Sequence, residues 1–321
     1  MGHTSQLRLG TRGSQLALWQ ANAVAARIAE TGGPPCRIVV IKTSGDRLAD
    51  AELAAIGGKR LFVKEIEDAL LTGTIDLAVH SSKDLPAVLP EGLTIAGVLP
   101  REDPLDAIVL PKGVRKEDLT SSLDDLVATL GQTPSIGTGS VRRIAQLRRL
   151  LPGARFAPVR GNVDTRLRKL DAGEHDALVL AAAGLRRLGL ASRISLTLPV
   201  SVCVTAPGQG IIAIEARCRD EIVASAVGPI HDSTSASALE AERALVAFLG
   251  GDCQTPVGAL ATLVEKDALE LVAAVVAIDG SRVVRAQARG RPDDAWAVGA
   301  EVGRQLLAGG AGAILADARR S

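Results

Sequence analysis

Short β-branched runs alternate with amphipathic helical stretches along the first two-thirds of the chain, and this alternation restricts the fold more than any other feature. Leu7–Thr11 reads as a strand and Ser14–Glu30 as a helix; Arg37–Lys42 is a strand, Lys59–Leu71 a helix, and Asp76–His80 and Leu93–Leu99 are strands. Strands that alternate with helices build parallel sheets covered on both faces. The pattern restarts after Pro104, with strands at Asp106–Leu110, Ser135–Gly137, Arg155–Val159 and Asp176–Leu180 and helices at Val141–Leu151, Val163–Leu170 and Ala183–Leu188. Ile211–Ala216 reads as a late strand that is free to return to the first sheet. The last region holds a long helix, Ala236–Leu249, strands within Ala259–Val264, Leu269–Ile278 and Arg282–Arg289, and a final helix, Asp294–Leu307. Leu99–Pro104 and Gly228–Thr234 read as linkers, and Val114–Pro134 as a polar helical insert. A chain of 321 residues, 47% of them hydrophobic, has enough apolar material for two or three separate cores.

Charge and composition remove several function classes. Lys and Arg number 37 against 36 Asp and Glu, so the basic excess that holds a nucleic-acid protein on phosphates is missing. Aromatic residues make up 2%, with no Tyr, which argues against stacking platforms for bases. The segment MGHTSQLRLGT has no apolar core of a signal peptide, and no apolar run reaches membrane-spanning length, so a cytoplasmic chain without a membrane partner is expected. Cys36, Cys203, Cys218 and Cys253 form no CxxC and have no His at ligand spacing; neither a disulfide nor a metal site is expected. Arg outnumbers Lys by 29 to 8. A GC-rich genome produces such a bias, but Arg is also the side chain that forks onto carboxylates and phosphates.

The glycine loops do not read as nucleotide sites. Gly208-Gln209-Gly210-Ile211-Ile212-Ala213 follows Pro207 and precedes a strand, where a dinucleotide site needs strand, loop, helix; no GxxxxGK[ST] is present. Gly137-Thr138-Gly139-Ser140-Val141-Arg142 does lie between a strand and a helix. Unpaired N–H groups at the helix start, the hydroxyls of Thr138 and Ser140, and the forks of Arg142 and Arg143 would together hold an anion. Taken alone, a capped surface helix with two solvated arginines fits this segment equally well. The theme recurs, however. Arg12 and Ser14 follow the first strand, Arg160 and Gly161 end another with Arg166 one turn on, and Arg186-Arg187 follows Asp176–Leu180. Ligands of open α/β sheets bind at the carboxyl ends of strands, so arginines gathered there favour a cleft for a polyanion. His80-Ser81-Ser82-Lys83-Asp84-Leu85-Pro86 also follows a strand. A carboxylate set among cations is favoured in its ionised form and suits stabilising a cationic intermediate; an Asp capping a turn beside Lys83 is the plainer alternative. His80 reads as a packed strand-end residue. Cys36 and Cys203 read as packed small hydrophobes, whereas Cys253 sits in Gly250-Gly251-Asp252-Cys253-Gln254-Thr255-Pro256, an accessible loop that suits a nucleophile or a covalent tether as well as a structural thiol.

Eight segments in order resemble the porphobilinogen deaminase (hydroxymethylbilane synthase) family: Thr11–Ala21, Gly57–Leu71, Asp76–Pro86, Gly137–Arg143, Arg160–Leu167, Ala182–Leu190, Ala206–Gly210 and Gly250–Gly258. The resemblance implies a transferase of porphyrin and haem biosynthesis. Four porphobilinogen molecules are deaminated and joined head to tail, and water releases the linear tetrapyrrole. It implies a dipyrromethane cofactor joined by a thioether to Cys253, whose soft sulfur adds readily to an electrophilic azafulvene. Asp84 matches the catalytic aspartate. Arg12, Ser14, Ser81, Lys83, Thr138, Ser140, Arg142, Arg143, Arg160, Gly161, Arg166 and Arg187 match the carboxylate-binding cleft, with Gln209 nearby, Phe62 beside the rings and Arg47–Gly58 as a lid. The implied fold is α/β: two domains of type II periplasmic-binding-protein kind, 1–104 with 211–230 and 105–210, plus a smaller C-terminal α+β domain, 231–321, carrying the cysteine. A monomer suits three self-contained domains. Ala55 stands where some members have Lys, Asp252 where Gly is expected, and the 114–134 insert is long. The rival class is a non-enzymatic anion-binding module of the same two-lobed kind.

Overall fold

Three sheets organise the molecule. The computed structural model describes residues 6–43, 63–113, 122–250, 255–265 and 267–320. The first sheet takes β1 (Leu7–Thr11), β2 (Cys36–Val40), β3 (Leu77–Ser81), β4 (Leu93–Val98) and β10 (Ile212–Arg217), in the order β2-β1-β3-β10-β4. The second takes β5 (Asp106–Val109), β6 (Ser135–Gly137), β7 (Arg155–Ala157), β8 (Ala177–Ala181) and β9 (Leu196–Thr197), in the order β7-β6-β8-β5-β9. The third is an antiparallel meander of β11 (Val257–Glu265), β12 (Ala268–Val276) and β13 (Val283–Gly290).

The first two sheets are mixed, which corrects the expectation of parallel ones. In each, three strands run parallel (β2, β1 and β3; β7, β6 and β8), and one strand, β10 or β5, runs against both of its neighbours. The reversed strand is in both cases the first after the chain crosses between sheets. Its opening residue lies beside the closing residues of its parallel neighbour: Asp106 opposite Ala181, Ile212 opposite Ser81. A strand delivered by a crossing enters at the cleft end and must run away from it, whereas a strand delivered by a helix enters at the far end.

Helices cover both faces. In α1 (Gln15–Glu30) the Ser14 hydroxyl accepts the Ala17 N–H at 3.2 Å, and Gln20, Ala21, Val24 and Ile28 form the buried stripe that packs on β1 and β3. On the opposite face, α2 (Lys64–Leu71) buries Ile66 and Leu70 against Ala78. The described part of the insert contains α3 (Leu123–Leu130), which with α4 (Val141–Leu150), α5 (Val163–Asp171) and α6 (Ala182–Arg187) covers the second sheet. Central strands are covered on both sides, so β3, β5, β8 and β10 are buried along nearly their whole length. The third sheet packs α8 (Ser233–Phe248), α9 (Ala295–Ala308) and α10 (Ala311–Arg320) on one face; its other face meets α4 through Ala145, Val204, Ala274 and Val276. The sequence reading stopped at the helix now α9 and missed α10, α7 (Glu221–Val227) and the two-residue β9. Within the expected Gly228–Thr234 linker, Gly228–Ile230 forms a 3-10 turn and α8 already starts at Ser233.

Two crossings join the first two sheets, and they run side by side. Leu99 N–H donates to Ile212 O at 3.1 Å and Glu102 N–H to Gly210 O at 3.0 Å. The contact is so close that a Cβ on Gly210, at φ +89, would lie 2.2 Å from Glu102 O; one on Gly208, at φ +75, would lie 2.7 Å from Ser82 Oγ. Glu242 of α8 is fully buried against this hinge. Its carboxylate accepts from Arg101 (2.7 Å) on one crossing, from Gly208 N–H (2.5 Å) on the other, and from Ala261 N–H (2.7 Å) on β11.

Candidate active site

The carboxyl ends of the parallel strands of both sheets face one cleft of about 850 Å³. Ten of the residues expected at a ligand site line it: Arg12, Ser14, Ser81, Lys83, Asp84, Arg143, Arg160, Gly161, Arg166 and Arg187. Lys42, at the carboxyl end of β2, lines it too, though the sequence reading gave that residue no role. Among the described residues the lining therefore carries seven basic side chains and one acidic one, Asp84, in a chain whose net charge is only +1. A cleft lined by one sign of charge draws ligands of the other sign. Asp84 closes a 3-10 turn, Ser82–Asp84, at the end of β3. A recess of about 80 Å³ beside it is lined by Arg12, Ser14, Gln20, His80, Ser81 and Asp84. Gln20 Nε2 donates to Ser81 Oγ at 2.8 Å, and buried His80 lies 3.1 Å from the buried carboxylate of Glu215.

Three expected lining residues, Arg142, Ser140 and Thr138, lie elsewhere, and Gln209, expected nearby, stands behind Lys83. Arg142 is 5% exposed and is absent from the lining: its guanidinium donates to Asp106 Oδ2 and to Val204 O, both at 2.7 Å. Ser140 caps α4, accepting from Arg143 N–H at 3.4 Å; Thr138 is buried, and its Oγ1 accepts from Ser140 N–H at 3.3 Å. Gln209 is 1% exposed and bridges the lobes, its Nε2 donating to Asp106 at 2.9 Å and its Oε1 accepting from Lys83 Nζ at 3.3 Å. Phe62, Cys253 with Asp252, and the Arg47–Gly58 loop with Ala55 lie outside the described residues.

The residue that organises this arrangement is Asp106, which sequence reasoning took only as the start of a strand. It is fully buried and accepts from Arg142, from Arg143 Nε (2.9 Å) and Nη2 (2.7 Å), from Gln209, and from the Cys203 thiol at 3.4 Å. Burial alone raises a carboxyl pKa; here the two guanidinium charges and the Gln209 amide overrule it and hold Asp106 far below the usual carboxylate range. The Cys203 thiol is pushed up to about 12 by burial and by the Asp106 charge, which makes it a protonated packing group. A lone charged residue at the head of the apolar run DAIV was the available signal, because such a charge is kept only where partners meet it. Arg143, held at Asp106 and by Val179 O at 2.9 Å, still reaches the cleft wall. Burial lowers the Arg166 pKa, the like charge of Arg143 adds to this, and Asp84 opposes it, so these three groups share one electrostatic field. Burial pushes Arg187 down to about 10, which leaves it charged at neutral pH.

No cluster of His, Cys, Asp or Glu suited to a metal ion occurs among the described residues, and no described helix is long and apolar enough to cross a membrane. Among solved structures the chain is similar to the periplasmic VFT2 domain of Bordetella pertussis BvgS (15% identity, TM-score 0.38, 70% of this chain and 86% of that one) and to an ancestral cationic amino acid solute-binding protein (18%, TM-score 0.40, 69% and 86%). In sequence it is similar to the porphobilinogen deaminases of Syntrophobacter fumaroxidans (46% identity, covering 98% of both chains) and Moorella thermoacetica (44%, covering 98% of this chain and 97% of the relative). The profile described as "Porphobilinogen deaminase, dipyromethane cofactor binding domain" matches residues 7–225, and that of the family's C-terminal domain matches residues 236–308. With nearly its full length matched in this way, and its cleft built from those matched residues, the chain belongs to the porphobilinogen deaminase family.

Proposed function

We propose that the chain makes hydroxymethylbilane in the cytoplasm as a monomer, condensing four porphobilinogen molecules with loss of four ammonia and hydrolytic release of the product. The observation that carries this reading is the cleft's charge: among the described residues its lining holds seven basic side chains and one carboxylate. Each pyrrole ring of the substrate bears an acetate and a propionate, so every added ring brings two more negative charges. The dipyrromethane cofactor fits the same donor set. It brings four carboxylates, and Arg12, Lys83, Arg143, Arg160, Arg166 and Arg187 offer forked or point-charge donors to them. When bound, the cofactor supplies the pyrrole terminus to which the first substrate is joined; Cys253 is the residue we assign to its tether.

The chain's own residues then do three things. The cations bind and align the ring carboxylates, so that the reacting carbon atoms are held together before reaction. Asp84 accepts hydrogen bonds from pyrrole N–H groups and stabilises the positive charge that develops on a ring as ammonia departs. Gln209 and Asp106 hold Lys83 and Arg143 in place around it. Residues 1–104 with 211–230, 105–210 and 231–321 form the three domains of this reading, the first two flanking the cleft.

Intact mass spectrometry tests it. The purified chain should carry the extra mass of two pyrrole units, and Cys253→Ala should abolish that mass. A chain without any adduct and without turnover of porphobilinogen would be an anion-binding module instead. An adduct mapping to Cys36, Cys203 or Cys218 would refute the assignment of the tether. Asp84→Asn should keep the adduct and lose turnover by roughly 10²–10³-fold, the usual effect of removing one electrostatic stabiliser; near-normal turnover would remove Asp84 from the mechanism.

A further inference from the structure

Arg187 touches three parts of the molecule. It lies at the end of α6 in the second lobe and lines the cleft. Its guanidinium donates to the Gly210 carbonyl on the returning crossing at 2.6 Å, and its central carbon stands 5.8 Å from the ring centre of Trp19, on α1 of the first lobe. The two helices approach closely where Gly184 faces Leu16. Trp19 is not part of the cleft lining and is 41% exposed. Its neighbour in sequence shows the alternative: Arg186 spends its donors on Asp103 at 3.0 and 3.2 Å and does not line the cleft.

A guanidinium has five N–H donors. Gly210 accepts one, and among the described residues Arg187 makes no second hydrogen bond, the nearby Glu102 carboxylate acting on it only through charge. An acidic side chain in the place of Trp19 would have taken two of the rest. An aromatic face instead attracts the cation through its π cloud and leaves the N–H edges uncommitted. We propose that Trp19 is a positioning residue: from the first lobe its indole holds the Arg187 guanidinium of the second lobe at the cleft wall, donors turned to the carboxylates of the growing pyrrole chain. The grip spans the lobes, so the placement of Arg187 reports how they are set relative to one another. This rests on the assignment of the cleft to pyrrole carboxylates.

Steady-state kinetics and tryptophan emission test the proposal. Trp19→Leu should raise KM for porphobilinogen about fivefold, the factor of an ordinary cation–π contact, with kcat within about twofold. Trp19→Phe, which keeps a weaker ring face, should fall between. In an Arg187→Gln background Trp19→Leu should add nothing. The chain has two tryptophans, so Trp296→Phe, at an exposed position of α9, leaves Trp19 as the sole emitter. Its emission should shift on adding porphobilinogen, and Arg187→Gln should remove the shift. An unchanged KM for Trp19→Leu while the parent enzyme turns over, or a full extra loss in the Arg187→Gln background, would overturn the role of Trp19. Absence of turnover in the parent would overturn the cleft assignment with it.

Discussion

Adjacent residues of one type take different jobs when the backbone turns them apart. Arg142 and Arg143 are successive on α4, hence about 100° apart around its axis. One is consumed by Asp106 and Val204 inside the protein; the other is anchored at Asp106 yet reaches the cleft. The pair RR therefore pointed to an anion site, but which of the two serves it was not legible, because that depends on a partner 36 positions earlier in the chain. Asp106→Ala would leave two buried guanidinium groups without their counterion, and it should lower stability by about 3–5 kcal/mol, the range for breaking a buried pair. Denaturant unfolding checks the magnitude, and a loss under about 1 kcal/mol would contradict the role given to it. The folded-state pKa of Asp106 is depressed, so its contribution is fully present above the unfolded carboxyl value near 3.9 and is given up as pH falls towards the folded one. The stability gap between the parent chain and Asp106→Asn should thus be flat from pH 8 to about pH 5 and shrink below about pH 4. A gap that already narrows between pH 7 and 5 would mean that another group is titrating.

Elements were more legible than their directions. Period-3.6 and β-branched stretches located α1, α4, α5, β1, β6 and β12 within a residue or two, since each is fixed by its own side chains and caps. The reversed strands β5 and β10 looked like any buried strand in the sequence, because DAIV and IAIEAR encode burial on both faces and say nothing of which end meets the cleft. Their sense is set by the crossings, a tertiary fact. α7 was lost for a different reason: its turn-like Asp220 start is an N-cap, accepting from Val223 N–H at 3.1 Å, and it followed a strand with only three residues between. For the cleft itself the rule of strand carboxyl ends served well. It drew attention to the arginines after β1, β6, β7 and β8, while the individual lining residues came from the family resemblance; neither marked Lys42, although Thr43, Ser44 and Gly45 follow it directly in the sequence.

At the scale of the whole molecule, one buried contact ties three bodies together. Arg101 donates to Glu242 at 2.7 Å and to the carbonyls of Gln209 (2.8 Å) and Ala261 (3.2 Å), so a single guanidinium joins both crossings to α8 and β11. Arg101→Ala would strand the carboxylate of Glu242 in the interior. Calorimetry should then show the parent's single transition broaden or divide as the C-terminal unit parts from the lobes, with the first midpoint lowered. A sharp, unshifted transition would show that the apolar contacts through Ala274 and Val276 suffice to unite them. The paired crossings have their own consequence. A door hung on two straps laid edge to edge swings about one line, and it neither slides nor lifts off. Room for a lengthening polymer can then be gained only by swinging that door or by passing older rings out through its open side.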